Sequence, residues 1–328
     1  MTTPPEGRPR RIILDCDPGH DDAIAIMLAV SDPGIELLAV TTVAGNSTLA
    51  NTTSNALRVL DLVDRADIPV AAGREAPLVR ELSTAAVMHG EGGLEGPLPA
   101  VPSRPALVIP AIGLIEQLLT DADEPVTLVA TGPLTNMSDV VTRLPHLHDK
   151  IEQLVIMGGA VDLGNWTPAA EFNIWVDPHA ADVVFQAACV PGADRGDAGR
   201  IPLTMIGLEV THKAWLTDEH ADLLRGTGRA GQFVAELLDH FVGFHQRRFG
   251  WEGGPIHDAV TIAHLIDPTL VTTLPMNVQI ETESPLCIGR TVADRWSVTG
   301  LEPNSAVGLD IDRNRFVTML LDHLSALP

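Results

Sequence analysis

Residues 11–30 read RIILDCDPGHDDAIAIMLAV, and this stretch constrains the chain more than any other. The apolar run Ile12–Leu14 predicts a buried strand. It ends in Asp15, Asp17, Asp21 and Asp22, with Pro18 and Gly19 forcing a turn between them. From Asp21 the apolar residues suit a buried helix that stops near Ser31-Asp32-Pro33-Gly34. A strand end followed by a helix start is where ligands bind in an open α/β sheet. A helix N-terminus favours a nearby carboxylate by ~0.3–1 kcal/mol, which accounts for one or two aspartates. Four so close together repel one another unless a cation joins them, and hard divalent cations take carboxylate oxygens. The plainer alternative is a capped, solvated turn.

A chain of 328 residues, 45% hydrophobic and 20% charged, is ample for a core. Net charge is −22, and Lys150 and Lys213 are the only lysines. That balance argues against nucleic acid and anionic membrane as partners, since both need a basic face. Cys16, Cys189 and Cys287 are odd in number and form no CxxC. They read as reduced thiols of a cytoplasmic protein. No apolar run approaches the ~18 residues of a membrane helix. Residues 1–10 read as a flexible polar tail rather than a signal peptide, leaving 11–328 as one domain.

Along the chain, Ile35–Val43 predicts a second strand, with a helix to about Val63, and Ile68–Ala71 a third strand. Residues 72–105 form a long Gly- and Pro-rich stretch containing His89-Gly90-Glu91-Gly92-Gly93, and a loop of that length is usually functional. A helix is expected over Ala106–Leu119, a strand over Val126–Ala130, a helix to Leu144 and a strand over Ile151–Met157. Pro178 opens a helix to about Ala188, residues 191–200 suit a surface insertion, and Leu203–Gly207 suit a strand. Residues 217–248 are helical with a break at Gly226–Gly228, and Ile256-His257-Asp258 opens another helix. Three late strands (Met276–Ile280, Ile288–Val292 and Ala306–Ile311) precede a last helix. Alternating strands and helices predict an α/β fold: a mainly parallel open sheet, helices on both faces, with extra C-terminal strands and helices.

Polar or glycine clusters recur after the strands, at 15–22, 44–46, 131–136 and 157–165, and such ends converge on one edge of an α/β sheet. Neither a nucleophile elbow nor a phosphate loop with its lysine is present. Asn46, Asn165, Asn173 and Glu171 suit a neutral polyhydroxylated ligand such as a sugar. A Ca²⁺-like ion accepts 6–8 oxygens and so holds vicinal hydroxyls and a water together. A carboxylate beside that water can serve as its base. His257, next to Asp258 at a helix start, is a candidate acid beside a metal ligand. Thr135 and Asn136 read as a helix cap. His20, His146, His148, His212, His220 and His240 read as ordinary structural histidines.

Taken together, the chain resembles the inosine-uridine-preferring nucleoside hydrolase family over roughly residues 11–325. The segments DCDPGHDDAIAI, TTVAGN (41–46), TGPLTN (131–136), MGG (157–159), AEFNIWVDPHAA (170–181), HD (257–258) and TVAD (291–294) follow the family's order. The resemblance implies a Rossmann-like hydrolase fold and calcium-dependent hydrolysis of the N-glycosidic bond of ribonucleosides, giving ribose and a free nucleobase. It implies that Asp17 is the general base and a Ca²⁺ ligand. Asp22 and Asp258 would bind the ion by side chain, and Thr131 by its carbonyl. Asp21, Asn46, Asn165, Glu171 and Asn173 would hold the ribose hydroxyls. His89, Met157 and Phe172 would line the pocket, His257 would protonate the leaving base, and Asp15 would support the ligands. A homodimer or homotetramer is implied as well.

One departure concerns the base. Family members often carry aromatic hydroxyls before the HD pair, but this chain has no tyrosine. Phe241, His245, Phe249 and Trp251 stand there instead. Stacking on the base remains available, and His245 can stand in for a tyrosine relay. Purine or pyrimidine preference stays open. The 191–200 insertion also departs from the family's length. A haloacid-dehalogenase-type phosphatase shares the DxD after its first strand but needs a lysine that is missing here. A calcium-dependent nucleoside-binding protein would need neither Asp17 nor His257 as proton carriers. An EF-hand is excluded, because Gly19 falls at a ligand position. Asp21 and Asp22, as neighbours on a helix start, are expected to point apart.

Overall fold

The computed structural model describes residues 8–94, 96, 99–196 and 199–328. Most of the expected tail lies outside these residues, but Arg10 already belongs to the first strand. The strands of the central sheet are β1 (Arg10–Cys16), β2 (Ile35–Thr42), β3 (Val70–Ala72), β4 (Val126–Ala130), β5 (Ile151–Met157), β6 (Ala188–Cys189) and β7 (Ile201–Ile206). Trp215–Leu216 (β8) and Gly254–Pro255 (β9) pair with each other away from it. The C-terminal strands are β10 (Val271–Met276), β11 (Val278–Ile280), β12 (Thr291–Ala293) and β13 (Ser305–Ile311). Among the described residues the main sheet runs β10-β13-β7-β5-β4-β1-β2-β3, with β6 on β7. All its pairings are parallel except β10 with β13.

β1 decides where a ligand can go. It pairs with β2 on one side and β4 on the other, so the chain winds outward in both directions from it. The crevice at the carboxyl ends of β1 and β4 is the switch point of the sheet. The pleat of β1 sends Ile12 and Leu14 into one apolar cluster and Ile13 into the other. The first cluster lies under the helices His20–Ser31, Arg229–Phe249, Ala259–Ile266 and Arg313–Ser325. The second lies under Ala111–Asp121, Thr135–Arg143 and Pro178–Gln186. Burial on both faces explains why these strands are continuously apolar rather than alternating.

Several boundaries differ from expectation. The helix expected at 106–119 runs Ala111–Asp121, because Pro110 disfavours helical geometry before it and serves as the N-cap. The strand expected over Met276–Ile280 is two: β10 ends at Met276, and β11 turns off to pair antiparallel with β12. Asn304 fixes the break by accepting from the Val278 N–H (2.8 Å) and donating to the Val278 carbonyl (2.9 Å). The long 72–105 stretch contains a short helix, Ala86–His89. The 191–200 insertion is tied down through Arg195, which donates to the carbonyls of His148, Ile151 and Glu152. The helix break at 226–228 is as expected, with both glycines at positive φ.

Candidate active site

At the end of β1 and just beyond it the chain places four buried carboxylates, Asp15, Asp17, Asp21 and Asp22, at the switch-point crevice. Asp21 and Asp22 fall in the first turn of the helix His20–Ser31, where the helix dipole favours them. Asp22 accepts from the Gly19 N–H (3.0 Å) and the Thr131 hydroxyl (2.8 Å). Thr131 is the first residue after β4, so this bond joins the two central strand ends. Asp17 accepts from the Asn46 N–H (2.6 Å) through Oδ2, while its buried Oδ1 has no hydrogen-bond partner. Gly45 and Gly132 press on the two oxygens of this carboxylate: a Cβ on Gly45 would overlap Oδ2, and one on Gly132 would come within 2.8 Å of Oδ1.

Asp15 sits one layer deeper. It accepts from Thr41 Oγ1 (2.6 Å) and Asn136 Nδ2 (2.7 Å). Asn136 and Thr135 are therefore not a helix cap as expected. Leu134 occupies the cap, Asn136 anchors Asp15, and Thr135 donates to Asp177 (2.7 Å). The expectation that Asp21 and Asp22 point apart also fails. One oxygen of each, with one of Asp258, lies within 4.8 Å of the others. At a helix's first turn there is no preceding turn to separate them, and Asp258 opens the facing helix Ala259–Ile266.

A cleft opens above these groups. Asp21, Asn46, His89, Thr131, Met157, Asn165, Glu171, Phe172, Asn173, His257 and Asp258 all line it. Asn173 donates to the carbonyls of Thr131 (2.8 Å) and Met157 (3.1 Å), bridging the ends of β4 and β5. Glu171 caps the helix Phe172–Val176 and accepts from the N–H groups of Gly159, Asn173 and Ile174. Asn165 accepts from the Phe172 N–H (3.0 Å). His245 and Trp251 do not line this cleft. They stack on each other at a centroid distance of 5.6 Å beside it, and His212 contacts both Trp251 and His257 edge-on.

Burial dominates the electrostatics. It raises Asp15 and Asp21 to about 7, and raises Asp17 and Asp258 well above the ordinary carboxylate range. Mutual repulsion adds to this, from Asp22 on Asp17 and from Asp21 on Asp258. Burial likewise holds His89 and His257 well below the usual histidine range, hence neutral. An all-oxygen donor set with an orphaned buried oxygen suits a hard divalent cation, which would relieve the repulsion.

Residues 12–318 match the inosine-uridine preferring nucleoside hydrolase family. The chain belongs to this family. It is a ribonucleoside hydrolase. Pyrimidine-specific ribonucleoside hydrolase RihA of Shewanella baltica is 49% identical over 317 residues, covering 96% of each chain. The RihA of Escherichia coli is 47% identical over 315 residues, covering 95% of this chain and 97% of its own. Among solved structures, a purine-preferring ribonucleoside hydrolase from Gardnerella vaginalis superimposes with a TM-score of 0.87 at 31% identity. That match covers 96% of this chain and 98% of the other.

Some of the family site was not visible in the sequence. His20, expected to be structural, is buried with its ring nitrogen 2.9 Å from His89 Nδ1 and the rings stacked at 5.1 Å, and so supports a residue of the cleft wall. His240 stacks on the other side of His20, at 5.6 Å. Ala85, Met88 and Phe241 complete the cleft wall. The tight fit of His89 depends on Gly19, where a Cβ would come within 2.7 Å of its Nδ1. A usable signal was the histidine placed inside the aspartate turn itself.

Proposed function

We propose that this hydrolase is calcium-dependent and prefers pyrimidine ribonucleosides. The observation that carries the mechanism is the buried, unpartnered Oδ1 of Asp17, next to the clustered carboxylates of Asp21, Asp22 and Asp258, of which Asp21 and Asp258 line the cleft. Asp17, Asp22, Asp258 and the Thr131 carbonyl would hold the ion, with Asp21 close enough to share in it. When bound, calcium supplies charge to orient ribose hydroxyls and to acidify a water. Asp17 would take a proton from the attacking water as the water oxygen bonds to C1′. The C1′–N bond breaks, its electron pair leaves with the base, and His257, neutral in the free cleft, takes up a proton on substrate binding and passes it to the departing base. Asp21, Asn46, Asn165, Glu171 and Asn173 hold the ribose, and their negative character favours an oxocarbenium-like transition state. His89, Met157 and Phe172 enclose the sugar. His245 and Trp251 stack on each other beside the cleft and would meet the base only at its edge.

The pyrimidine preference rests on the RihA relatives, which are far more similar to this chain than the purine-preferring structure is. We further place the enzyme in the cytoplasm as a homodimer or homotetramer. Its cysteines are free, and among the described residues no helix is long and apolar enough to cross a membrane. Ribose release from a panel of purine and pyrimidine nucleosides tests the proposal. Uridine and cytidine are expected to give the highest kcat/KM. A higher value for inosine or guanosine would overturn the pyrimidine assignment.

A further inference from the structure

We propose that Thr211 is a positioning residue for His257, setting how its imidazole meets the leaving base. The inference deepens the role of His257 given above and rests on it. Thr211 ends the short helix Leu208–Thr211, which follows β7 at the carboxyl edge of the sheet. It is fully buried. Its Oγ1 lies 2.7 Å from His257 Nδ1. The backbone around it is otherwise engaged: the Thr211 N–H donates to the Gly207 carbonyl, and its own carbonyl accepts from Ala214. The side chain is therefore fixed by the backbone, while its hydroxyl remains free to rotate.

A hydroxyl has one proton and two lone pairs. It can donate to a bare Nδ1 or accept from a protonated one without moving. Thr211 thus holds the same ring orientation in either state and keeps the other nitrogen, Nε2, for substrate. His212 packs edge-on against the His257 ring at 5.7 Å. A ring held at one nitrogen and walled on one side has little freedom to tilt. Nothing in the sequence marks Thr211 as a partner of His257, 46 residues away, so this support comes entirely from the fold.

The test compares two leaving groups. A nucleoside such as uridine needs its base protonated, whereas a 4-nitrophenyl riboside releases a stable phenolate without help. Thr211→Val keeps the shape and removes the hydroxyl. It is expected to lower kcat for uridine by roughly 10- to 100-fold, the cost of a misplaced catalytic group, with KM nearly unchanged. Turnover of the nitrophenyl riboside should fall much less, and Thr211→Ser should recover most of the loss on uridine. The ratio of the two rates is independent of how much variant is folded. Equal losses on both substrates, or no loss on either, would overturn the proposal. His257→Ala separates the two levels. If it leaves that ratio unchanged, the acid role of His257 fails. If it shifts the ratio and Thr211→Val does not, only the positioning role of Thr211 fails.

Discussion

Single residues divide the chemistry unequally among the four aspartates after β1. Asp15 is committed to Thr41 and Asn136, and Asp22 to Gly19 and Thr131. Asp17 Oδ1 and Asp15 Oδ2 are both buried without a hydrogen-bond partner, but of the two only the Asp17 carboxylate lies against Gly45 and Gly132 at the strand ends. That exposes a difference between support and reaction. Asp17→Asn preserves the shape and the contact with the Asn46 N–H through its amide oxygen, but it cannot accept a proton. Steady-state kinetics should show kcat reduced by about 10²- to 10⁴-fold, the usual weight of a general base, with KM changed far less. Turnover close to the parent would remove Asp17 from the base role. The aspartates and Asn46 were legible in the sequence because they cluster at the ends of β1 and β2, and Asn165, Glu171 and Asn173 because they stand in the polar stretch after β5. Thr211, His20 and His240 were not, since their significance depends on pairings across 46, 69 and 220 residues of chain.

Secondary-structure elements place these residues through close backbone approach. Gly45 follows β2 and Gly132 follows β4, and the Asp17 carboxylate lies between them. Neither glycine has positive φ, so space rather than backbone freedom explains them. Gly45→Ala would push into the mobile end of Asp17 and against Pro133. We expect roughly a 10- to 100-fold loss of kcat from the displaced carboxylate. Its melting temperature should fall less than that of Leu14→Ala, which empties a fully buried core site at about 2–5 kcal/mol. Kinetics and thermal melting on both variants check this, and an inactive Gly45→Ala that melts like the core truncation would count against a local effect. Strands β1, β4 and β5 were legible to within two residues, because their apolar runs are bounded by polar turns. The helix start at Ala111 and the split between β10 and β11 were not, since a proline and a side-chain amide set them rather than hydrophobic period.

At the scale of the whole molecule, the parallel sheet brings four separate strand ends to one crevice, and burial there makes the carboxylates costly to ionise. The folded protein holds Asp15 and Asp21 near 7, above their ordinary 3.8. A group raised in this way favours folding at low pH, and its contribution is lost as pH rises through the folded value. Without a cation the site therefore loses stability progressively between pH 3.8 and about 7, while a bound cation would favour the ionised form. Thermal melting of chelator-stripped protein with and without calcium, at about pH 5 and about pH 8, decides whether these aspartates hold calcium. The predicted result is a rise in melting temperature on adding calcium, larger at the higher pH, with uridine hydrolysis restored in parallel. Unchanged melting at both values, with turnover indifferent to the chelator, would contradict it.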